Sequence, residues 1–397
     1  MTGQPNTEYG LSVELADLGE LGAPMGSPGQ CLSVQPLDKD PNLLVKLYRP
    51  GQLTEEDEER IERLVGWPRS LSDPLGEGFL LRNCAWPLSR VTRSGSTAGV
   101  LMSLAPDRFY ERVKDPYGSQ RIVLTLDHVA GPAQDLKAIG LKPIDRANRL
   151  QICAGVLGVA EFLERNGLVY GDWGYQNILW SRKNLSVYFI DMDACSFGEQ
   201  RWVESFGFED PLTPDPVRVD VATERYRCSI MTAACLTGIK EPAAALAALR
   251  EMAGQDSRLR ELERVVRQNV DTAERGGRAP IADLCAALPA ELAGFFFAGL
   301  TPTPSPSPSG DEPVKGSGPD VDADTGDNIL RWDSVAPVIM VPVIPRQPRP
   351  VRPAQPPVRT PASHRRSPAE LRAAQFRAVA FLALLGLVIL FIVLANT

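Results

Sequence analysis

Residues 167–194, GLVYGDWGYQNILWSRKNLSVYFIDMDA, set Asp172 five positions before Asn177 and end a β-rich run at Ile190-Asp191. Two carboxylates and one carboxamide make a donor set built only of oxygen, and the flanking NILW and VYFID pieces read as strands. Phosphoryl transfer asks for such a set. One carboxylate orients the attacking hydroxyl, while an amide oxygen and a second carboxylate hold Mg2+ against the phosphates. Asp172, Asn177 and Asp191 would supply those three groups in that order. Each carboxylate alone is more often a cap or a turn former, so the reading rests on the three together. Asp193, two residues on, either helps Asp191 or caps the following loop.

Upstream, residues 144–166 (IDRANRLQICAGVLGVAEFLERN) repeat apolar positions at helical spacing and predict a long buried helix leading into the Asp172 loop. Earlier still, PNLLVKLYRP predicts a short strand with Lys46 at its centre. An ammonium group there is costly unless it meets an anion, which makes Lys46 the phosphate-contacting candidate. Leu44 and Tyr48 share its face under period-two alternation. The next segment, LTEEDEERIERLVGWP, predicts a helix with Thr54 as N-cap and Ile61, Leu64 and Val65 inward. Glu58, or otherwise Glu62, is the candidate partner of Lys46, and the remaining acidic residues suit the positive end of the helix dipole.

Gly22, Gly26 and Gly29 in LGAPMGSPGQCLSVQPL precede an alternating apolar run. They read as a hairpin whose backbone amides approach phosphates, or as a surface turn. GEGFLLRNCAWPLSRV and STAGVLMSLAP predict two more strands. The second passes through Met102 into an extended connection, which is either the hinge of an adenine pocket or the plain end of a core strand. After Asp191 the segments ERYRCSIMTAACLTG, AAALAALREM, RLRELERVVRQ and RAPIADLCAALPAEL all predict helices. Strands first and helices after predict an α+β domain of two lobes, with nucleotide between them.

Composition narrows the chemistry. A chain of 397 residues with 44% apolar content can bury a substantial core, and a net charge of −7 argues against a nucleic-acid surface. The seven cysteines are scattered and contain no Cys-x-x-Cys pair, so neither a disulfide framework nor a zinc site is expected. Two histidines leave little for histidine-based catalysis.

From Thr301 to Gln375 the sequence turns to TPTPSPSPSG, an acidic patch and a Pro/Arg-rich run, a composition that predicts a disordered linker over 301–375. As a coil it would reach roughly 50 Å. Residues 378–395, AVAFLALLGLVILFIVLA, would span roughly 27 Å as a helix, which predicts one transmembrane helix over 376–397. The arginines before it, Arg346 to Arg377, favour the cytoplasmic side and anionic headgroups. No signal-peptide pattern opens the chain, so the expectation is a single-pass cell-membrane protein with its large N-terminal part in the cytoplasm.

Over residues 11–300 the pieces LVKLYRP, CAWPLSRV, GVLM, YGDWGYQNILW and FIDMDACSF resemble the protein-kinase-like superfamily, in particular bacterial Ser/Thr kinase-like proteins with a Gly-Asp catalytic loop and an Ile-Asp-x-Asp metal loop. The resemblance implies a β-rich first lobe and a helical second lobe, with ATP and Mg2+ as cofactors. It implies Lys46, Glu58 and Asp172 as catalytic residues, Gly26, Gly29, Lys46, Met102 and Asn177 as nucleotide contacts, and Asn177 and Asp191 as metal ligands. Tyr170-Gly171 stands where the family has His-Arg, Asp191-Met192-Asp193 replaces Asp-Phe-Gly, and no clear Ala-Pro-Glu follows. The implied activity is transfer of the ATP γ-phosphate to Ser/Thr of membrane-proximal proteins, with no nucleic acid as partner. A nucleotide-binding pseudokinase scaffold and an aminoglycoside- or choline-kinase-like small-molecule phosphotransferase are the alternatives.

Overall fold

The computed structural model describes residues 10–25, 31–71, 74–115, 118–201, 207–213 and 218–289. Gly26, Gly29, the linker over 301–375 and the expected transmembrane helix over 376–397 lie outside the described residues. Among the described residues no helix is long and apolar enough to cross a membrane.

The fold is α+β, with a mixed sheet in the N-terminal part and helices in the C-terminal part. Strands β1 (Ser12–Glu14), β2 (Cys31–Pro36), β3 (Leu43–Tyr48), β4 (Pro87–Arg93) and β5 (Ser96–Ser103) form a sheet in the order β1-β4-β5-β3-β2. The ladders are antiparallel except β1–β4, which is parallel. Along β3 burial alternates: Leu43, Val45 and Leu47 enter the core while Leu44, Lys46 and Tyr48 share the other face. Lys46 stands opposite Val100 of β5 and Val34 of β2, so its strand is paired on both sides. Its backbone cannot drift.

Helix α1 (Glu55–Gly66) starts where the sequence predicts. The Thr54 side chain accepts from the Asp57 N–H and the Asp57 carboxylate accepts from the Thr54 N–H, a reciprocal cap worth about 1 kcal/mol. Ile61, Leu64 and Val65 are buried, each contributing roughly 2 kcal/mol of apolar burial. The Leu64 carbonyl also accepts from the Trp86 indole N–H at 2.9 Å, which ties the helix to the chain entering β4.

The expected strand over GEGFLLRN is instead helix α2 (Pro74–Asn83). Phe79-Leu80-Leu81 is an apolar run too short for its periodicity to separate strand from helix. Tertiary packing decides: Leu80 is fully buried, Phe79 and Leu81 lean on the same core, and the Asn83 amide closes the last turn on the Phe79 carbonyl. Another unforeseen element is the hairpin β6 (Tyr110–Asp115) with β7 (Gly118–Val123), placed where the sequence predicts only an extended connection.

Short helices α3 (Asp127–Ala130) and α4 (Ala133–Ala138) lead to α5 (Arg146–Arg165), capped by Asp145 and buried on every side from Ile152 through Leu163. A helix apolar all round belongs in a core, and α5 packs on α6 (Val221–Thr237), followed by α7 (Pro242–Gln255), α8 (Arg260–Asp271) and α9 (Ile281–Ala286). Two short antiparallel ribbons lie between α5 and α6 in sequence: β8 (Leu168–Val169) with β11 (Ser196–Phe197), and β9 (Ile178–Trp180) with β10 (Val187–Phe189). Their connections carry Asp172, Asn177 and Asp191. A buried cluster of Ile61, Val65, Val100, Met102, Leu179 and Tyr188 joins α1 and the sheet to the β9–β10 ribbon.

Gly99 on β5 lies between β3 and β4, and a Cβ there would penetrate the Lys46 carbonyl oxygen and press on Leu47. Gly99→Ala should therefore cost about 1–3 kcal/mol of stability, read as a lower urea midpoint with an unchanged slope.

Candidate active site

The loop 170–177 is held from below by two buried charged side chains of α6, Glu224 and Arg227. Glu224 of α6 accepts from the backbone N–H of Tyr170 at 2.9 Å, from that of Gly171 at 3.3 Å and from the Trp173 indole at 2.8 Å. One turn on, Arg227 donates to the carbonyls of Gly171 and Phe208. Both side chains are buried, so each would be costly without these partners. Gly171 has φ +76°, a conformation that strains any residue with a Cβ. Glycine at this position and its backbone grip on α6 go together. Within the loop the Asn177 amide N–H donates to the Asp172 carbonyl at 3.0 Å, which leaves the Asn177 carboxamide oxygen as an acceptor. The Ile190 N–H donates to the Asn177 carbonyl at 2.9 Å, binding this loop to the one that carries Asp191.

Asp191 adopts the left-handed region, φ +56° and ψ +36°, unusual for a residue other than glycine. Its carboxylate is 37% exposed, and Oδ1 accepts from Lys46 Nζ at 3.0 Å. Asp193 is buried and doubly engaged: Oδ1 accepts from Lys46 Nζ at 2.8 Å and Oδ2 from the Tyr48 hydroxyl at 2.7 Å. Burial by itself would weaken the Lys46 ammonium, but the charges of Asp193 and Asp191 outweigh it and hold the group protonated. Burial would likewise raise the Asp193 carboxyl, and Lys46 and Tyr48 bring it below the usual carboxylate range. Asp172 goes the other way: burial and the nearby Asp191 charge raise it, with Lys46 opposing. Lys46 is thus brought to the Asp172, Asn177 and Asp191 segment, more than a hundred residues further along the chain.

Glu58 is not part of that meeting. Its carboxylate accepts from the Thr97 N–H and hydroxyl of β5, the latter at 2.7 Å, whereas Lys46 turns to Asp191 and Asp193. The expected Lys46–Glu58 pair is corrected accordingly, and Glu62 instead meets Arg90 at 3.3 Å. The reason is the position of α1 over β4 and β5, which puts Thr97 under Glu58. Arg60, one turn from Asp57, reaches the Asp191–Cys195 segment instead, donating to the carbonyls of Asp193 and Cys195. Met102 is buried in β5 opposite Leu44, in a cluster that also takes in Leu179, Val123 and Ile190.

Sequence reasoning missed Tyr48, Arg60, Glu224 and Arg227 as parts of the site. One signal was available: Glu224, Arg225 and Arg227 crowd the start of the otherwise apolar run ERYRCSIMTAACLTG, and charges that become buried need partners. A further anchor lies after the Asp191–Asp193 turn, where Arg278 forks onto Asp210 at 2.6 and 2.7 Å with both side chains wholly buried.

Hard oxygen donors suit Mg2+. Asp191 presents a half-open carboxylate and Asn177 a carboxamide oxygen relieved of other duty, which fits a cation that takes one or two protein ligands and completes its shell with phosphates and water. Among the described residues no cluster of three or more His, Cys, Asp or Glu side chains could hold a metal by itself. No protein-family model and no curated protein matches the sequence.

Arg278→Ala should cost about 3–5 kcal/mol in urea unfolding, because it strands a buried Asp210. Burial would raise the Asp210 carboxyl, but the Arg278 hydrogen bonds and the Leu212 N–H depress it below its unfolded value. Its stabilising contribution is therefore complete above the unfolded pKa of about 4 and is lost as pH falls through the lower folded value. In Asp210→Asn that portion of the acid limb of a stability–pH curve should flatten.

Proposed function

We propose that this chain is an ATP- and Mg2+-dependent phosphotransferase with a bilobal protein-kinase-like domain over residues 11–300, acting on Ser/Thr hydroxyls of proteins near a membrane. The observation that carries the proposal is the meeting of Lys46, from the interior strand β3, with Asp191 at the end of the β10 run, beside Asp172 and Asn177. Lysine for phosphate, carboxamide and carboxylate for the cation, and a second carboxylate for the acceptor hydroxyl are the parts that phosphoryl transfer uses.

Asp172 orients the acceptor hydroxyl and takes up its proton. Asn177 and Asp191 would hold the cation, Asn177 with its amide N–H fastened to the Asp172 carbonyl, so the two roles would share one loop. Lys46 neutralises phosphate charge. Bound Mg2+ supplies the remaining neutralisation across the phosphates. Leu44, Met102, Val123, Leu179 and Ile190 offer an apolar wall for a purine. The linker and membrane segment expected from the sequence favour protein acceptors, because tethering raises the local concentration of membrane-bound substrates and gains little for a soluble metabolite. A nucleotide-binding scaffold without transfer is the second reading. It draws on Lys46 being held by two carboxylates, an arrangement that competes with phosphate.

Labelled ATP, Mg2+ and generic protein acceptors test the proposal on the purified protein. Transfer to protein should fall at least about 100-fold in Asp172→Asn, with nucleotide binding retained, while Lys46→Ala should raise KM for ATP and lower kcat. Transfer undiminished in Asp172→Asn overturns the assignment. Binding without transfer moves the protein to the scaffold reading, and transfer only to small hydroxyl or amino compounds moves it to a small-molecule enzyme.

A further inference from the structure

We propose that Asp193, and not a glutamate of α1, is the positioning residue that holds Lys46 for phosphate, and that α1 acts on the site through Arg60. The inference rests on the phosphotransferase reading for its purpose and on independent contacts for its substance. Asp193 is buried with both carboxylate oxygens engaged, one by Lys46 and one by Tyr48, and its position is doubly specified because Lys46 and Tyr48 share one face of β3. Asp191 differs: it is 37% exposed and only Oδ1 meets Lys46. Its contact with the lysine is the exchangeable one. When a cation takes Asp191 and a phosphate takes Lys46, Asp193 still holds the ammonium in place.

Glu58, which would otherwise do this work, is committed to Thr97 on β5. Arg60 completes the arrangement by gripping the carbonyls of Asp193 and Cys195 from α1. Movement of α1 would therefore reach Lys46 through the backbone of the metal loop rather than through a direct ion pair.

Two measurements on the full-length protein test this. Acetylation of lysines by an N-hydroxysuccinimide ester at one fixed pH, followed by mass spectrometry, reads how firmly Lys46 is held without any nucleotide. Lys46 should react at least tenfold faster in Asp193→Asn and within twofold of wild type in Glu58→Gln, with partial return to the slow rate in Asp193→Glu. Lys240, paired with Asp127, serves as the reference and should not change. Fluorescence titration with Mg2+-ADP should show at least tenfold weaker binding for Asp193→Asn and less than twofold for Glu58→Gln. Should Asp193→Asn fail to fold, Tyr48→Phe removes one hydrogen bond from the same carboxylate and should give the same ordering at two- to fivefold. Equal labelling in Asp193→Asn and wild type, or the larger effect in Glu58→Gln, overturns the inference. A wild type that binds no nucleotide while the labelling order holds removes the phosphotransferase reading and leaves Asp193 as the residue that holds Lys46.

Discussion

A largely buried ammonium group on an interior strand of the sheet is the constraint around which this protein is arranged. Lys46 cannot be left unpaired there, since stranding a buried charge costs several kcal/mol. The compensation comes from two carboxylates more than 140 residues away, Asp191 and Asp193, which both reach its Nζ within 3.0 Å. Bringing them there requires that β3 and the β10–β11 connection face each other. The cluster of Ile61, Val65, Val100, Met102, Leu179 and Tyr188 provides the apolar burial that makes them do so.

The supports of the site are built to resist movement. Glu224 and Arg227 clamp the backbone of Tyr170 and Gly171 from α6, and α6 is itself packed on the wholly buried α5. Asp191 tolerates a left-handed backbone because its neighbours are tied on both sides: Ile190 to Asn177 and Tyr170, Asp193 to β3 and α1. Strain of about 1–3 kcal/mol is stable only when it is over-determined in this way. The asymmetry between a half-exposed Asp191 and a buried Asp193 follows from the same geometry and divides labour between two residues that look alike in sequence.

Local signals were legible where chemistry and period agree. Thr54 followed by Asp57 and by Ile61, Leu64 and Val65 is a cap and an apolar face written in one segment, and α1 begins there. Lys46 between Leu44 and Tyr48 announces a strand that needs an anion. The run FLLRN was illegible because three adjacent apolar residues satisfy a strand and a helix equally, and the core beneath α2 chose. Glu58 was misread for a related reason. Its place on the inward side of α1 is fixed by the period, but whether Lys46 or Thr97 lies beneath it depends on where α1 sits over the sheet.

By itself, then, the sequence determined which side chains would have to find partners: an ammonium on a strand, and carboxylates closely spaced after a β run. Burial of ionised groups is too costly for any of them to stand alone, and that cost can be read from residue type and period. Only the tertiary structure decided the partners. Hydrogen bonds act over about 3 Å, and that distance between Lys46 and Asp193, or Glu224 and Gly171, is set by how sheet, ribbons and helices pack rather than by any spacing along the chain.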